Sequence, residues 1–267
     1  MCLPRVYDMH TDMKRRWMDV WRERNMVDLI KNYFGARFVK AAKGSLSCSP
    51  RVTMGVIDAP KPVEETFLWQ FFHSVFFLIG GFTFIFGTAV YYFPDWEDSF
   101  LWGGVLYTIG SSGFLGVDVM ELFTFTSDTI LSINIFCSAT GSLLYVIGSI
   151  GFIPAVYESE ATWNIIGFTP ATTGVYGFIA GSFFIGCSQF WKVYRIMTTT
   201  KDMTAVGVEL NPGLGAWCFF VGTSMYNIPY YLDNYYGTII NIWEVGSILF
   251  TAGALFLTYR HFVMGVV

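Results

Sequence analysis

Six long apolar stretches, separated by short polar segments, dominate the chain from residue 67 onward. We place them at 67–93, 99–121, 130–154, 170–194, 214–232 and 238–262. Each is long enough to cross a bilayer as a helix, which needs about 20 apolar residues. Because the connections are short, consecutive helices are expected to be antiparallel neighbours. The pattern predicts an all-α, polytopic membrane protein with six transmembrane helices over residues 67–267.

One short pattern recurs in every apolar stretch: Gly, six residues, Gly, and then a small residue. Seven residues make about two helical turns, so both glycines lie on one face of the helix. Small residues at this spacing let helix backbones approach closely within a membrane. The sequence therefore predicts helix–helix contacts at Gly80, Gly87, Gly103, Gly110, Gly141, Gly148, Gly174, Gly181, Gly215, Gly222, Gly246 and Gly253.

A longer repeat pairs the stretches into three hairpins, at 67–121, 130–194 and 214–262. In each odd-numbered stretch a proline follows the second glycine by six or seven residues, and proline ends a helix because it removes a hydrogen-bond donor. A tryptophan follows each proline, and we expect it at the membrane interface. The residues are Pro94, Pro154 and Pro229, with Trp96, Trp163 and Trp243. Three similar hairpins predict a parallel repeat about the membrane normal.

The hairpin segments GGFTFIFGTAVYYF and LWGGVLYTIGSSGF, and later WEVGSILFTAGALFLTYRHF, resemble the YrhK-like membrane domain. In that family two short helices each contain an aliphatic-Gly-Ser core, and a Trp begins the second helix. The resemblance covers residues 67–267 as three degenerate copies and does not extend to 1–66. It implies an integral membrane hairpin and no particular chemistry.

Charge is distributed very unevenly along the chain. Hydrophobic residues make up 54% of it and charged residues only 13%, against roughly 25% charged residues in soluble domains. Residues 1–66 contain 12 of the 16 Lys and Arg, whereas the loops 94–98, 155–169 and 233–237 contain none. The positive-inside rule therefore predicts both termini on the cytoplasmic, matrix or stromal side. Among these, an organellar inner membrane is the location we favour.

The N-terminal segment, residues 1–66, is expected to lie outside the membrane. Residues 11–40 repeat apolar side chains every three or four positions, which predicts a basic amphipathic helix, and 44–66 read as a linker. Such a helix suits a membrane surface or a partner protein. Arg and Trp are typical of protein interfaces. The predicted partner-binding residues are Arg15, Arg16, Trp17, Trp21, Arg22 and Arg24.

Two histidines and an acidic patch are the main candidates for chemistry, since ionisable residues within membrane helices are usually functional. His73 and His261 fall on the same side of the membrane, where they are weak candidates to ligate haem iron or chlorophyll magnesium. A hydrogen-bonded structural role is the alternative. Asp118 and Glu121, together with Asp128, mark either a place where a proton or cation enters or a counter-charge for the basic segment.

The remaining polar residues in the apolar stretches are single and suggest no path. Asn134, Gln189 and Asn227 are expected to form hydrogen bonds between helices, and Glu244 is expected at the interface. No nucleotide-binding glycine loop, HExxH metal motif or nucleophile elbow occurs in the sequence.

Three classes of function remain open. The first, which we favour at this stage, is a non-catalytic accessory subunit of a larger membrane complex, with other subunits and lipids as partners. The second is a small channel or transporter, and the third is a membrane protein that binds haem or pigment. We predict no enzyme activity and no cofactor beyond bound lipid. The eight acidic residues within the basic segment argue against binding to nucleic acid.

Overall fold

Six long helices make up most of the part of the chain that the computed structural model describes, residues 62–157 and 169–265. We number them α1 to α6: Phe67–Val90, Ser99–Thr124, Thr129–Gly151, Pro170–Thr199, Met203–Tyr226 and Pro229–Tyr259. Short helical turns at Val63–Glu65, Pro154–Tyr157 and Arg260–Met264 accompany them. No strand occurs in these two ranges, so the described fold is all-helical, as the sequence predicts.

Five of these helices are long and apolar enough to cross a membrane: α1, α2, α3, α4 and α6. This set makes the protein a multi-pass membrane protein. The other long helix among the described residues, α5, has the polar residues Glu209 and Asn211 in its first half. These side chains lower the apolar character of α5 in comparison with its neighbours.

The structure corrects the predicted boundaries of the last two stretches. Helix α5 begins at Met203 rather than at 214, because the Asp202 side chain accepts hydrogen bonds from the backbone N–H groups of Thr204 and Ala205. Pro212 lies inside α5 and does not end it. Helix α6 begins at Pro229, so the predicted loop at 233–237 is helical, with a kink at Tyr235 (φ −134°, ψ 26°).

The expected interfacial position of Trp243 is wrong for the same reason. Since α6 begins at Pro229, Trp243 lies about four turns into the helix, where it is buried and stacks on Phe219 with ring centroids 6.4 Å apart. Glu244, also expected at the interface, is a half-buried residue of the same helix. Trp96 is exposed in the turn after α1, and Trp163 lies outside the described residues.

The helices form a closed ring in which each packs against the next in sequence and α6 packs back against α1. Contacts between the start of one helix and the end of the next show that consecutive helices are antiparallel; for example, Trp69 Nε1 donates to Thr124 Oγ1 at 3.0 Å. One end of the ring therefore collects the first turns of α1, α3 and α5 and the last turns of α2, α4 and α6. We call it the charged end, and the opposite one the far end.

Six aromatic side chains fill the centre of the ring, one from each helix. They are Phe84, Tyr107, Tyr145, Phe178, Phe219 and Phe250, and all are buried. The ring centroid of Phe84 lies 4.8 to 6.5 Å from those of the other five, a range that suits favourable aromatic contacts. We call this set the aromatic layer. It closes the middle of the ring.

The glycines of the repeated pattern all face a neighbouring helix or its cap residue. Within the α3/α4 hairpin the contacts are reciprocal: a Cβ on Gly148 would lie 2.8 Å from the Phe178 ring, and one on Gly181 would lie 2.6 Å from the Tyr145 ring. The α1/α2 hairpin repeats this arrangement with its own glycines and aromatic rings. A hydrogen atom is therefore the side chain that fits at these positions.

A buried ionisable cluster as the candidate functional site

Lys192 is the centre of a group of ionisable side chains near the charged end. It lies on α4 and is only 8% exposed. Its Nζ is 2.7 Å from Oε2 of Glu121 on α2 and 3.6 Å from Oε2 of Glu209 on α5. One lysine thus joins three helices through two carboxylates. Charges at such depth are retained only when they are paired or functional.

Two histidines extend this group to α1 and to the turn after α6. His73 Nε2 lies 3.3 Å from Oε1 of Glu121, and His73 Nδ1 lies 3.2 Å from Nε2 of His261. Because a carboxylate accepts, the Nε2 of a neutral His73 carries the proton, and its Nδ1 accepts from His261. The three side chains form one directed chain of hydrogen bonds, from His261 through His73 to Glu121.

The facing nitrogens of the histidine pair are too close together to share one metal ion. A metal ion between two imidazoles needs each nitrogen about 2 Å away, and therefore about 4 Å between the nitrogens. The facing nitrogens of His73 and His261 are 3.2 Å apart and are hydrogen-bonded to each other. Within the described residues, no group of three or more His, Cys, Asp or Glu side chains has the arrangement of a metal site.

Asp118 and Gln189 lie deeper in the ring, towards the aromatic layer. Asp118 is 5% exposed and accepts a hydrogen bond from Ser142 Oγ at 2.5 Å. No basic side chain of the described ranges forms a salt bridge with it. Gln189 is 8% exposed, and its Oε1 has no hydrogen-bond partner there.

Two adjacent spaces surround the cluster. The vestibule, of about 500 Å³, lies at the charged end and is lined by Trp69, Arg195, Asp202, Arg260 and His261. The chamber, of about 50 Å³, lies beneath it and is lined by Asp118, Ser138, Ser142, Gln189 and three phenylalanines. Six residues line both spaces: the ionisable His73, Glu121, Lys192 and Glu209, and the apolar Val208 and Leu257. The four ionisable side chains therefore lie at the boundary between the vestibule and the chamber, together with these two apolar residues.

A third space lies on the other side of the aromatic layer. It measures about 20 Å³, and its lining includes Tyr107, Phe178 and Phe219 of that layer. The chamber is bounded by Phe250 of the same layer. A single sheet of aromatic side chains thus separates a polar space on one side from a small, mainly aromatic space on the other.

Ion pairs hold two of the hairpins together at the rim of the vestibule. Arg195 on α4 contacts Asp128 before α3 at 2.5 Å, and Arg260 after α6 contacts Asp202 before α5. A hydrogen bond from the Leu131 backbone N–H, and then the Arg195 side chain, lower the pKa of Asp128. Hydrogen bonds from the Thr204 hydroxyl, and then from Arg260, lower the pKa of Asp202.

The acidic patch expected from the sequence is divided in the structure. Asp118 and Glu121 belong to the cluster, whereas Asp128 pairs with Arg195 at the rim. Asn134 donates from Nδ2 to the Ser188 carbonyl at 3.3 Å, a hydrogen bond between α3 and α4. Asn227 is the C-cap residue of α5. The proposed partner-binding residues between 15 and 24 lie outside the described ranges.

Lys192 and Glu209 were missed as site residues when only the sequence was considered. Lys192 falls near the end of the predicted stretch 170–194, and Glu209 falls between that stretch and the next one, 214–232. A usable signal was present: Lys192 lies three residues after Gln189 and seven after Ile185, so the three share one helix face. A lysine that continues an inward-facing stripe is a candidate for burial.

No protein-family model matches this chain, and neither a curated protein nor a solved structure is found to be similar to it.

Proposed function

We propose that the protein is a small proton-coupled transporter that binds a zwitterionic solute, such as a free amino acid, in the vestibule. The observation that supports this is the buried ionisable cluster on the boundary between the vestibule and the chamber. A space of about 500 Å³ falls within the size range of small-molecule sites. Its wall presents Arg260 and Lys192 as well as Glu121 and Glu209. Both signs of charge suit a ligand that has an ammonium and a carboxylate group.

The histidine chain supplies a route for the coupled proton. When His261 takes up a proton from the vestibule, its Nε2 proton passes to Nδ1 of His73, and the Nε2 proton of His73 passes to Glu121. One proton enters and one arrives on the carboxylate, while both imidazoles change tautomer. A neutral Glu121 attracts Lys192 less strongly, which leaves Glu209 as the main partner of that lysine. Solute binding and proton uptake thereby act on the same lysine.

The topology that we propose has six membrane spans, with α5 as the fifth, arranged as three hairpins of one orientation. The reciprocal glycine–aromatic contacts in the hairpins and the closed ring support this repeat. We place the charged end on the cytoplasmic, matrix or stromal side, and an organellar inner membrane remains our proposed location. Membership of the YrhK-like family stays part of the same proposal.

Solute-dependent proton movement in proteoliposomes tests the transport function. The full chain is reconstituted with the pH-sensitive dye pyranine inside the vesicles, and an inward proton gradient is imposed. Addition of a mixture of neutral amino acids is expected to speed acidification of the lumen, since the two movements are coupled.

The Glu121→Gln variant is expected to abolish this acceleration because its side chain cannot take up the proton. Glu244→Gln, the same change in another half-buried helical glutamate, is the matched control and should behave like the wild type. Transport is rejected if amino acids, sugars and amines all leave the rate of acidification unchanged and if vesicles with the wild-type protein acidify at the same rate as empty vesicles.

The aromatic layer favours a second function, that of a non-catalytic accessory subunit of a larger membrane complex. Because six side chains close the centre of the ring, the described bundle has no open path through it. Deletion of residues 1–45 tests this alternative, since the basic segment is its proposed anchor. Loss of all co-purifying membrane partners, together with retained folding of the helical domain, supports the subunit role. Unchanged co-purification contradicts it.

A further inference from the structure

We infer that the chamber beneath the cluster is a binding site for one small monovalent cation, with Na⁺ as the probe. The site consists of the Asp118 carboxylate, the hydroxyls of Ser138 and Ser142, and the side-chain oxygen of Gln189. Cation binding at this site goes beyond the proposed transport. It can be tested separately, because it is measured on the purified protein without a solute or a gradient.

One acceptor that lines the chamber has no hydrogen-bond partner among the described residues. Gln189 Oε1 is buried, lines the chamber, and receives no hydrogen bond within the described residues. A buried amide oxygen without a partner destabilises the folded protein, because its hydrogen bonds to water are lost and not replaced. An amide oxygen accepts and cannot donate, so the missing partner is a cation or a donor such as water. The Asp118 carboxylate, which lines the same chamber, favours the cation.

The charges around the chamber are not balanced. The carboxylates of Asp118, Glu121 and Glu209 line it. Lys192 pairs with the last two of these. Asp118 forms no salt bridge within the described ranges and has the Ser142 hydroxyl as its donor. A buried carboxylate without a countercharge is strongly unfavourable. One positive charge beside Asp118 removes that deficit.

The size of the chamber and the oxygen atoms of its lining residues suit a small cation. A space of about 50 Å³ holds a small ion with one or two waters, because one water needs about 10–15 Å³. Hard cations bind oxygen ligands of carboxylate, hydroxyl and carbonyl groups. One carboxylate with three neutral oxygens suits a monovalent ion better than a divalent one, which usually recruits several carboxylates.

Thermal unfolding of the purified full-length protein tests this site. The unfolding midpoint is measured in detergent at one pH and one ionic strength, with choline chloride replaced stepwise by NaCl, KCl or NH₄Cl. We expect a saturable rise of about 3 °C or more in at least one of the three salts, because a ligand of the folded state stabilises it. The salt that gives half of the full rise at the lowest concentration contains the preferred ion.

Two variants and a control locate the effect. Asp118→Asn and Gln189→Leu are each expected to remove the salt-specific rise, whereas Gln70→Leu, the same change outside the chamber, should retain it. Equilibrium dialysis with ²²Na⁺ provides an independent measurement, with about one ion per chain expected for the wild type and at least a tenfold weaker affinity for Gln189→Leu. Identical midpoints in all four salts, or a rise that persists in both variants, would overturn the inference. A midpoint that follows pH but not the cation would show that the chamber takes up protons only.

Discussion

At the scale of single residues, the sequence repeat contains one more element than its glycines suggest. An aromatic residue follows the first glycine by four positions in all six helices, and these residues form the aromatic layer. The glycine spacing predicts close helix contacts, but it does not say what fills the space between six helices. Four residues is about one turn, so the aromatic ring lies on the glycine face and points to the same interior.

The close contact of Gly148 predicts that an added methyl group destabilises the protein. Gly→Ala in a helix normally stabilises by up to about 1 kcal/mol. A Cβ on Gly148, however, would lie 3.0 Å from the Gly174 carbonyl oxygen as well as against Phe178. We expect Gly148→Ala to destabilise the protein by about 1–3 kcal/mol, seen as a lower thermal midpoint. Gly237→Ala is the control, since nothing lies within 4 Å of its added Cβ, and it should not lower the midpoint.

Phe84 is the residue on which the aromatic layer depends most, because its ring contacts the other five. We expect Phe84→Ala to destabilise by about 3–5 kcal/mol and to increase proton leakage of proteoliposomes, since it leaves a gap in the layer. Phe86→Ala changes an exposed phenylalanine of the same helix and should alter neither property. Unchanged leakage in a folded Phe84→Ala protein would show that the layer is not the seal.

At the scale of helices and hairpins, the polar pairs at the rim hold the ends of neighbouring helices together. The start of helix α5 cannot be predicted from the apolar pattern. Its first three turns contain Glu209, Asn211 and Pro212, a polar stretch typical of a linker. They are helical because Asp202 caps the first turn and because Gly253 leaves room for the Pro212 ring, which a Cβ would approach to 2.6 Å.

The lowered pKa of Asp202 predicts a pH dependence of stability. Its unfolded-state pKa is about 3.9, and hydrogen bonds from Thr204 and Arg260 lower the folded-state value. Its stabilising contribution is therefore complete above about pH 4 and is lost as the pH falls through the lower, folded-state pKa. The difference in thermal midpoint between wild type and Asp202→Asn should be constant from pH 7 to about pH 4 and shrink below it. A difference that grows on acidification contradicts this assignment, and exposed Asp95→Asn is the control.

At the scale of the whole molecule, the antiparallel ring places residues 62 and 265 at the charged end, and the turn after α1 at the far end. In the six-span topology that we propose, the bilayer separates positions 96 and 201. We expect Trp96→Cys and Lys201→Cys, each in a chain without other cysteines, to react with an impermeant maleimide from opposite sides of sealed vesicles. Labelling of both from one side would contradict the six-span topology.

The all-helical membrane fold followed from the sequence, whereas the cluster followed only in part. Asp118 and Glu121 were visible as acidic residues three apart within an apolar stretch, and both histidines as polar residues on one side. Their partners were not, because Lys192 and Glu209 are 17 residues apart in sequence and meet only when α4 packs against α5. Periodicity shows which face of a helix is buried, but not which helices share that face.

The central claim is that a solute site opens to one side of the membrane and is closed towards the other side by the aromatic layer. The accessibility of Ala205 tests this claim most directly. Ala205 lines the vestibule. In sealed vesicles, Ala205→Cys in a chain without other cysteines should react with an impermeant maleimide only from the side that labels Lys201→Cys. Neutral amino acids should slow the reaction of Ala205→Cys and leave that of Lys201→Cys unchanged. Labelling from the far side, or labelling that no amino acid slows, would contradict the account.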